Sequence, residues 1–212
     1  MSEALAAIIF DFDGVIVESG DIKTAAFRAL YRPFGPDVEA AAVAYHLANG
    51  GISRRTKIRH IHREYLGIDL TATELETLAA RFSALVEDAV VAAPMVEGAW
   101  EMLERLDGHF LLRFVVSGTP TEELTRIVAR RGLARAFTEV HGSPPEKPPI
   151  IRDILSRYGL APADVVFVGD AMTDWRAAQE TGIRFIGRVR ESMANPFPPD
   201  VPVVPHLRGL AL

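Results

Sequence analysis

Four aspartates, a serine and a lysine stand where chemistry is expected to gather. An apolar run over residues 5–10 closes in Asp11-Phe12-Asp13-Gly14. A second, Leu111-Leu112-Arg113-Phe114-Val115-Val116, closes in Ser117-Gly118. A third, Val165-Val166-Phe167-Val168, closes in Gly169-Asp170, with Asp174 four residues on. Lys147 sits in Pro144-Pro145-Glu146-Lys147-Pro148, which reads as a loop. Carboxylates gathered out of water repel one another and require a cation. An all-oxygen donor set without Cys or His selects a hard ion, and Mg2+ is the expected cofactor. Four ionised carboxylates against a dication and one ammonium leave one negative charge, which a single carboxyl proton cancels. Such a site suits a phosphate dianion held by the metal, Lys147, the Ser117 hydroxyl and loop N–H groups.

The elements that position these residues are legible around them. Continuous apolar runs bounded by Gly read as buried parallel strands. To the three above are added residues 139–141 and 184–187, and a short strand near Val203. Helical patterns at 96–106, 121–131, 150–158 and 175–181 alternate with them. The fold class is therefore α/β, a Rossmann-like parallel sheet flanked by helices, with ligands expected at the carboxyl ends of the strands. Residues 20–93 lack a buried-strand run. They predict four helices, at roughly 21–32, 37–48, 53–65 and 71–92, with Ser53 as an N-cap and Thr71 with Glu74 as a capping box. The predicted division is a core of residues 1–18 and 94–212 with an all-helical insert at 19–93. The Pro-rich tail from Asn195 to Pro205 predicts an extended surface segment.

Composition narrows the classes. The chain has 212 residues, 49% of them hydrophobic, and a formal net charge of -5. That suffices for a core and argues against disorder. A pI near 5.7 disfavours nucleic acid. No stretch approaches the roughly 20 apolar residues of a membrane span, so no membrane role is expected and the expected location is cytoplasmic. Cysteine is absent, which excludes disulfides and thiolate chemistry.

The motifs Asp11-Phe12-Asp13-Gly14-Val15, Val116-Ser117-Gly118-Thr119, Lys147-Pro148 and Gly169-Asp170-Ala171-Met172-Thr173-Asp174 occur in that order. Together they resemble the four motifs of the haloacid dehalogenase-like hydrolase superfamily, over nearly the whole chain. The helical insert resembles the cap of the subgroup containing phosphoglycolate phosphatases and β-phosphoglucomutases. The resemblance implies that Asp11 is a nucleophile forming an aspartyl phosphate, and that Asp13 protonates the leaving alcohol and then activates water. It implies metal binding by Asp11, the Asp13 carbonyl and Asp170, with Asp174 acting directly or through water. It assigns Ser117, Gly118 and Lys147 to the phosphoryl group. Asp13 favours phosphoryl transfer, since the metal-free dehalogenases lack an aspartate there.

In such proteins the cap chooses the leaving group. Its polar candidates here are Lys23, His46, Asn49, Gly50, Ser53, Arg54 and Lys57. The turn before the 53–65 helix is expected to reach over the site, with Arg54 binding a polar or acidic part of the substrate. Lys23 is expected as a solvated side chain beside Asp21, a Schiff-base role being the alternative. A histidine stands near that position in β-phosphoglucomutases, which counts against the mutase reading. The basic run from Arg54 to Arg63 reads mostly as a solvated face, with Ile58, Ile61 and Tyr65 as the buried stripe. Phe12, Tyr31, Phe34, Phe82, Trp100 and Trp175 are expected to pack, and Met172 and Thr173 to line the site. The leading function is a Mg2+-dependent phosphatase acting on a small phosphorylated metabolite, as a monomer or homodimer. A sugar phosphomutase and a non-catalytic binding protein are the other readings. A phosphoreceiver domain is disfavoured by the insert and by the Asp170–Asp174 pair.

Overall fold

The computed structural model describes residues 5–106 and 111–210. Parts of the expected core spans, residues 1–4, 107–110 and 211–212, lie outside it. The sheet has six parallel strands: β1 Ala7–Phe10, β2 Leu112–Pro120, β3 Glu139–Ser143, β4 Val165–Gly169, β5 Arg184–Arg188 and β6 Val203–Val204. Their order is β3-β2-β1-β4-β5-β6. The central strand β1 is buried on both faces. Ile8 and Phe10 join one apolar cluster, Ala7 and Ile9 the other. Phe10 lies opposite Val115 on one side and Val168 on the other. The chain builds outward from β1 to β2 and β3, then returns to β4 and β5 on its far side. The crevice opened by that reversal lies where β1 and β4 end.

The core helices are α5 Ala99–Leu106, α6 Thr121–Arg130, α7 Lys147–Tyr158 and α8 Met172–Thr181. Between β1 and α5 stand α1 Gly20–Tyr31, α2 Pro36–Ala48, α3 Arg54–Leu66 and α4 Ala72–Ala92. These four form the helical cap. Ser53 caps α3 by accepting from Thr56 N, and Gly67 ends it at φ +66. Thr71 and Glu74 make the expected capping box on α4. Phe27 of α1 packs on Phe82 of α4 with ring centroids 4.7 Å apart. The cap leaves and rejoins the core through adjacent backbone: Val17 bridges Met95, and Glu18 N donates to Pro94 O at 3.0 Å. No helix among the described residues is long and apolar enough to cross a membrane.

Several expectations are corrected. Helix α7 begins at Lys147, not in a loop ending near residue 150, because Pro148 and Pro149 occupy a first turn whose N–H groups need no helical partner. Strand β2 runs on through Ser117 and Gly118 to Pro120. Trp100 is exposed, because α5 buries Ala99, Met102, Leu103 and Leu106 at helical spacing. Phe34, beside a proline in a short 3-10 turn, is 41% exposed and packs only its inner edge, on Tyr31 and His62. The basic run is only partly a solvated face: Arg54, Lys57 and His62 are buried together with Ile58 and Ile61, while Arg59, Arg63 and Tyr65 are exposed.

Arg54 binds the cap to the core. Its guanidinium donates to both oxygens of Glu123 on α6, at 2.6 and 2.7 Å, and to Ser83 of α4 at 2.6 Å. Both charges are almost wholly buried, so removing one strands the other. Arg54→Met is expected to cost about 3–5 kcal/mol in urea unfolding, and Arg54→Met with Glu123→Leu far less than the sum of the single changes. Additive costs would show that the pair is uncoupled.

Candidate active site

The end of β1 delivers Asp11 to the switch point. Its Oδ1 accepts from Phe12 N at 2.8 Å and lies 3.2 Å from Lys147 Nζ. Lys147, from the first turn of α7, donates to Asp174 Oδ1 at 2.5 Å. Asp174 Oδ2 in turn accepts from Ala171 N at 3.1 Å, which closes the start of α8. Asp11, Asp170 and Asp174 offer carboxylate oxygens that lie within 4.8 Å of one another. Burial pushes Asp11 up to about 7; the Asp174 and Asp13 charges add to the rise and Lys147 opposes it. Burial, then Asp11 and Asp174, raise Asp170 well above the usual carboxylate range. For Lys147 burial works downward, but the two carboxylates outweigh it and hold the ammonium above its ordinary value. A set of three carboxylates and one ammonium, all buried but the half-buried Asp170, is short of positive charge. Its donors suit a hard, oxygen-seeking dication held by Asp11, Asp170 and Asp174.

Asp13 has a different neighbourhood. Ser19 Oγ donates to it at 2.6 Å, Thr119 Oγ1 at 2.9 Å and Ser117 Oγ at 3.3 Å. Lys23 of α1 pairs with it directly and also donates to Thr119 Oγ1 at 2.7 Å. Burial pushes the carboxyl up, but the Lys23 charge with hydrogen bonds from Lys23, Ser19 and Thr119 brings it down to about 2. Lys23 is therefore not the solvated side chain expected, being only 16% exposed. Ser19 and Thr119 were not among the expected site residues. Thr119 had a readable signal: on an extended β2 it shares a side with Ser117. Phe12, between the two aspartates, is in the core as expected. Arg188, at the end of β5, donates to Gly14 O and pairs with Glu18, fixing the turn behind Asp13.

A cavity of about 480 Å³ opens over Asp11, Asp13 and Asp170 and is roofed by the cap. The loop before α3 presses close to the sheet. Thr173 Oγ1 donates to Gly50 O at 2.8 Å, and a Cβ on Gly118 would meet Gly51 O at 2.5 Å. Lys23, Gly50, Ser117, Gly118 and Lys57 line the cavity, as do Met172 and Thr173. Lys57 Nζ is 3.0 Å from His46 Nδ1. Ser53 is spent on capping α3, and the Asn49 amide donates to Tyr45 O at 2.9 Å. Arg54 also borders the cavity, but its guanidinium is occupied by Glu123 and Ser83.

A family model described as haloacid dehalogenase-like hydrolase matches residues 8–188, a span that contains every motif residue above. This chain belongs to the haloacid dehalogenase-like hydrolase family. Among similar hydrolases is a protein named phosphoglycolate phosphatase from Synechococcus elongatus. It is 27% identical over 181 residues, covering 84% of this chain and 81% of the relative. Another is named N-acetylmuramic acid 6-phosphate phosphatase, from Pseudomonas putida. It is 28% identical over 187 residues, covering 85% and 81%. A solved β-phosphoglucomutase from Clostridium difficile shares the fold at a TM-score of 0.78 and 17% identity, covering 98% and 93%.

In this hydrolase Gly14 carries a φ of +78, and a Cβ there would lie 2.0 Å from Asp170 Oδ2. Gly14→Ala is expected to destabilise the fold by about 1–3 kcal/mol through backbone strain alone and to displace Asp170. Chemical unfolding and a crystal structure of the variant check both effects. An unshifted Asp170 at full stability would refute the close fit.

Proposed function

We propose that this protein is a Mg2+-dependent phosphatase that hydrolyses a small phosphorylated metabolite through an aspartyl phosphate on Asp11. The observation that carries the reading is Asp11 itself: a buried carboxylate at the switch point, beside Lys147 and two further carboxylates. The names of the relatives support the same reaction class. The cap, residues 19–93, closes over the site and selects the leaving group. In the first step an Asp11 oxygen attacks phosphorus, the ester P–O bond breaks, and Asp13 gives its proton to the departing oxygen. In the second step Asp13 takes a proton from water, the water oxygen attacks phosphorus, and the bond to Asp11 breaks, releasing inorganic phosphate. Lys23 holds Asp13 ionised in the free protein, the form needed for the second step. A phosphate dianion in the cavity adds negative charge beside Asp13 and shifts it toward the protonated form needed for the first. Lys147, Ser117 and the Gly118 backbone hold the phosphoryl oxygens.

Asp11, the Asp13 carbonyl and Asp170 would hold Mg2+, with Asp174 supporting them, and the bound ion supplies the positive charge that three carboxylates and the phosphoryl oxygens lack. Mg2+ is accordingly expected to raise the melting temperature by several degrees over EDTA, and Asp170→Asn to abolish most of that rise. An equal rise in Asp170→Asn would place the ion elsewhere.

The reaction is tested with phosphorylated metabolites, with Mg2+ or EDTA, measuring inorganic phosphate. Release is expected to require Mg2+ and to fall at least about a thousandfold in Asp11→Asn. Release that persists in Asp11→Asn overturns the covalent mechanism. Isomerised sugar phosphate without release marks a mutase.

A further inference from the structure

Four Lys or Arg side chains are buried among the described residues: Arg54, Lys57, Lys147 and Arg188. Three face carboxylates at 2.5–2.6 Å, namely Glu123, Asp174 and Glu18. Lys57 does not. Its Nζ meets His46 Nδ1 at 3.0 Å and His46 O at 3.4 Å, above the Phe27 ring, and among the described residues no carboxylate lies within ion-pair distance of it. Burial, then the Lys57 and Lys23 charges, push His46 down to about 3, so the imidazole is neutral. With Nδ1 accepting from the ammonium, its proton sits on Nε2. Burial and Lys23 together push Lys57 down to about 7, against the pull of Asp13, Asp170 and Asp11 across the cavity. A buried amine without a counter-charge is a site that gains when a monoanion arrives.

Lys57 lines the same cavity as Asp13, on the cap side, where a leaving group must project once its phosphate lies against Asp11. One ammonium with one neutral imidazole balances a single negative charge, not the two of a second phosphate. Resting on the phosphatase reading, we propose that Lys57, positioned by His46, binds a carboxylate on the leaving group. The substrate is then the phosphate monoester of a small hydroxy acid. The sequence pointed to Arg54 for an acidic group, but that guanidinium already has its carboxylate.

The test compares esters in which a neutral hydroxymethyl group replaces that carboxylate. Phosphoglycolate is set against 2-hydroxyethyl phosphate, and 3-phosphoglycerate against glycerol phosphate, with the full-length protein in Mg2+. The carboxylate member of at least one pair is expected to show kcat/KM about tenfold or more above its neutral partner, chiefly through KM. In Lys57→Met that ratio is expected to fall to near one, and Lys57→Arg to restore part of it. A ratio near one in the wild type, or one unchanged in Lys57→Met, overturns the proposal while leaving the phosphatase reading intact. If no ester is hydrolysed, that reading fails separately. Calorimetric binding of the same pairs to Asp11→Asn then decides, with equal Kd values for each pair overturning the carboxylate site. Binding of the carboxylate members about tenfold tighter, lost in the double variant with Lys57→Met, sustains it.

Discussion

Like charges held together out of water set the terms for this structure. Asp11, Asp170 and Asp174 come from separate places in the chain and meet around Lys147. Nothing local favours that meeting; the sheet imposes it. Strand β1 is locked between β2 and β4, with every residue fully buried. A slip of one residue would exchange its two apolar faces and turn Asp11 away from the crevice. The apolar burial of four residues thus holds a carboxylate where its neighbours repel it. The repulsion remains as unmet demand for positive charge, which is the property a phosphoryl-transfer site needs.

The cap answers that demand from the opposite side. The sheet end is acidic, whereas the cap wall over it presents Lys23 and Lys57. The two layers share one apolar cluster, and polar contacts join them beside the cavity: Arg54 with Glu123, Lys23 with Asp13 and Thr119, Thr173 with the Gly50 carbonyl. Loop backbone at Gly51 comes so near Gly118 that a side chain on Gly118 could not fit. Each contact draws on a residue beside the cavity, so the fit of the cap and the shape of the cavity are one property.

The sheet, the helical insert and the core motifs were legible because their signals are local: apolar runs, helical periodicity, capping residues and aspartates two apart. What the sequence hid were partnerships across long separations. Lys23 reads as solvated beside Asp21, yet its hydroxyl partner Thr119 comes from β2. Arg54 reads as a ligand for substrate, but its carboxylate is Glu123 on α6. Residues 54, 57, 58, 61 and 62 form a regular buried stripe. The period was readable, but the charged residue types pointed to solvent, and only the tertiary partners reverse that. Two prolines after Lys147 suggested a loop where they instead open a helix.

The bridge between Val17 and Met95 makes the whole cap, seen from the sheet, equivalent to a single turn. Its two ends are fixed side by side whatever lies between them, and the entropic cost of closing such a loop grows only slowly with its length. Helices can therefore be lengthened, reshaped or exchanged between those ends without altering the strand register that holds the acidic cluster. The register of the sheet is thus independent of the insert, while the state of Asp13 is not, since Ser19 and Lys23 reach it from the span hung between residues 17 and 95.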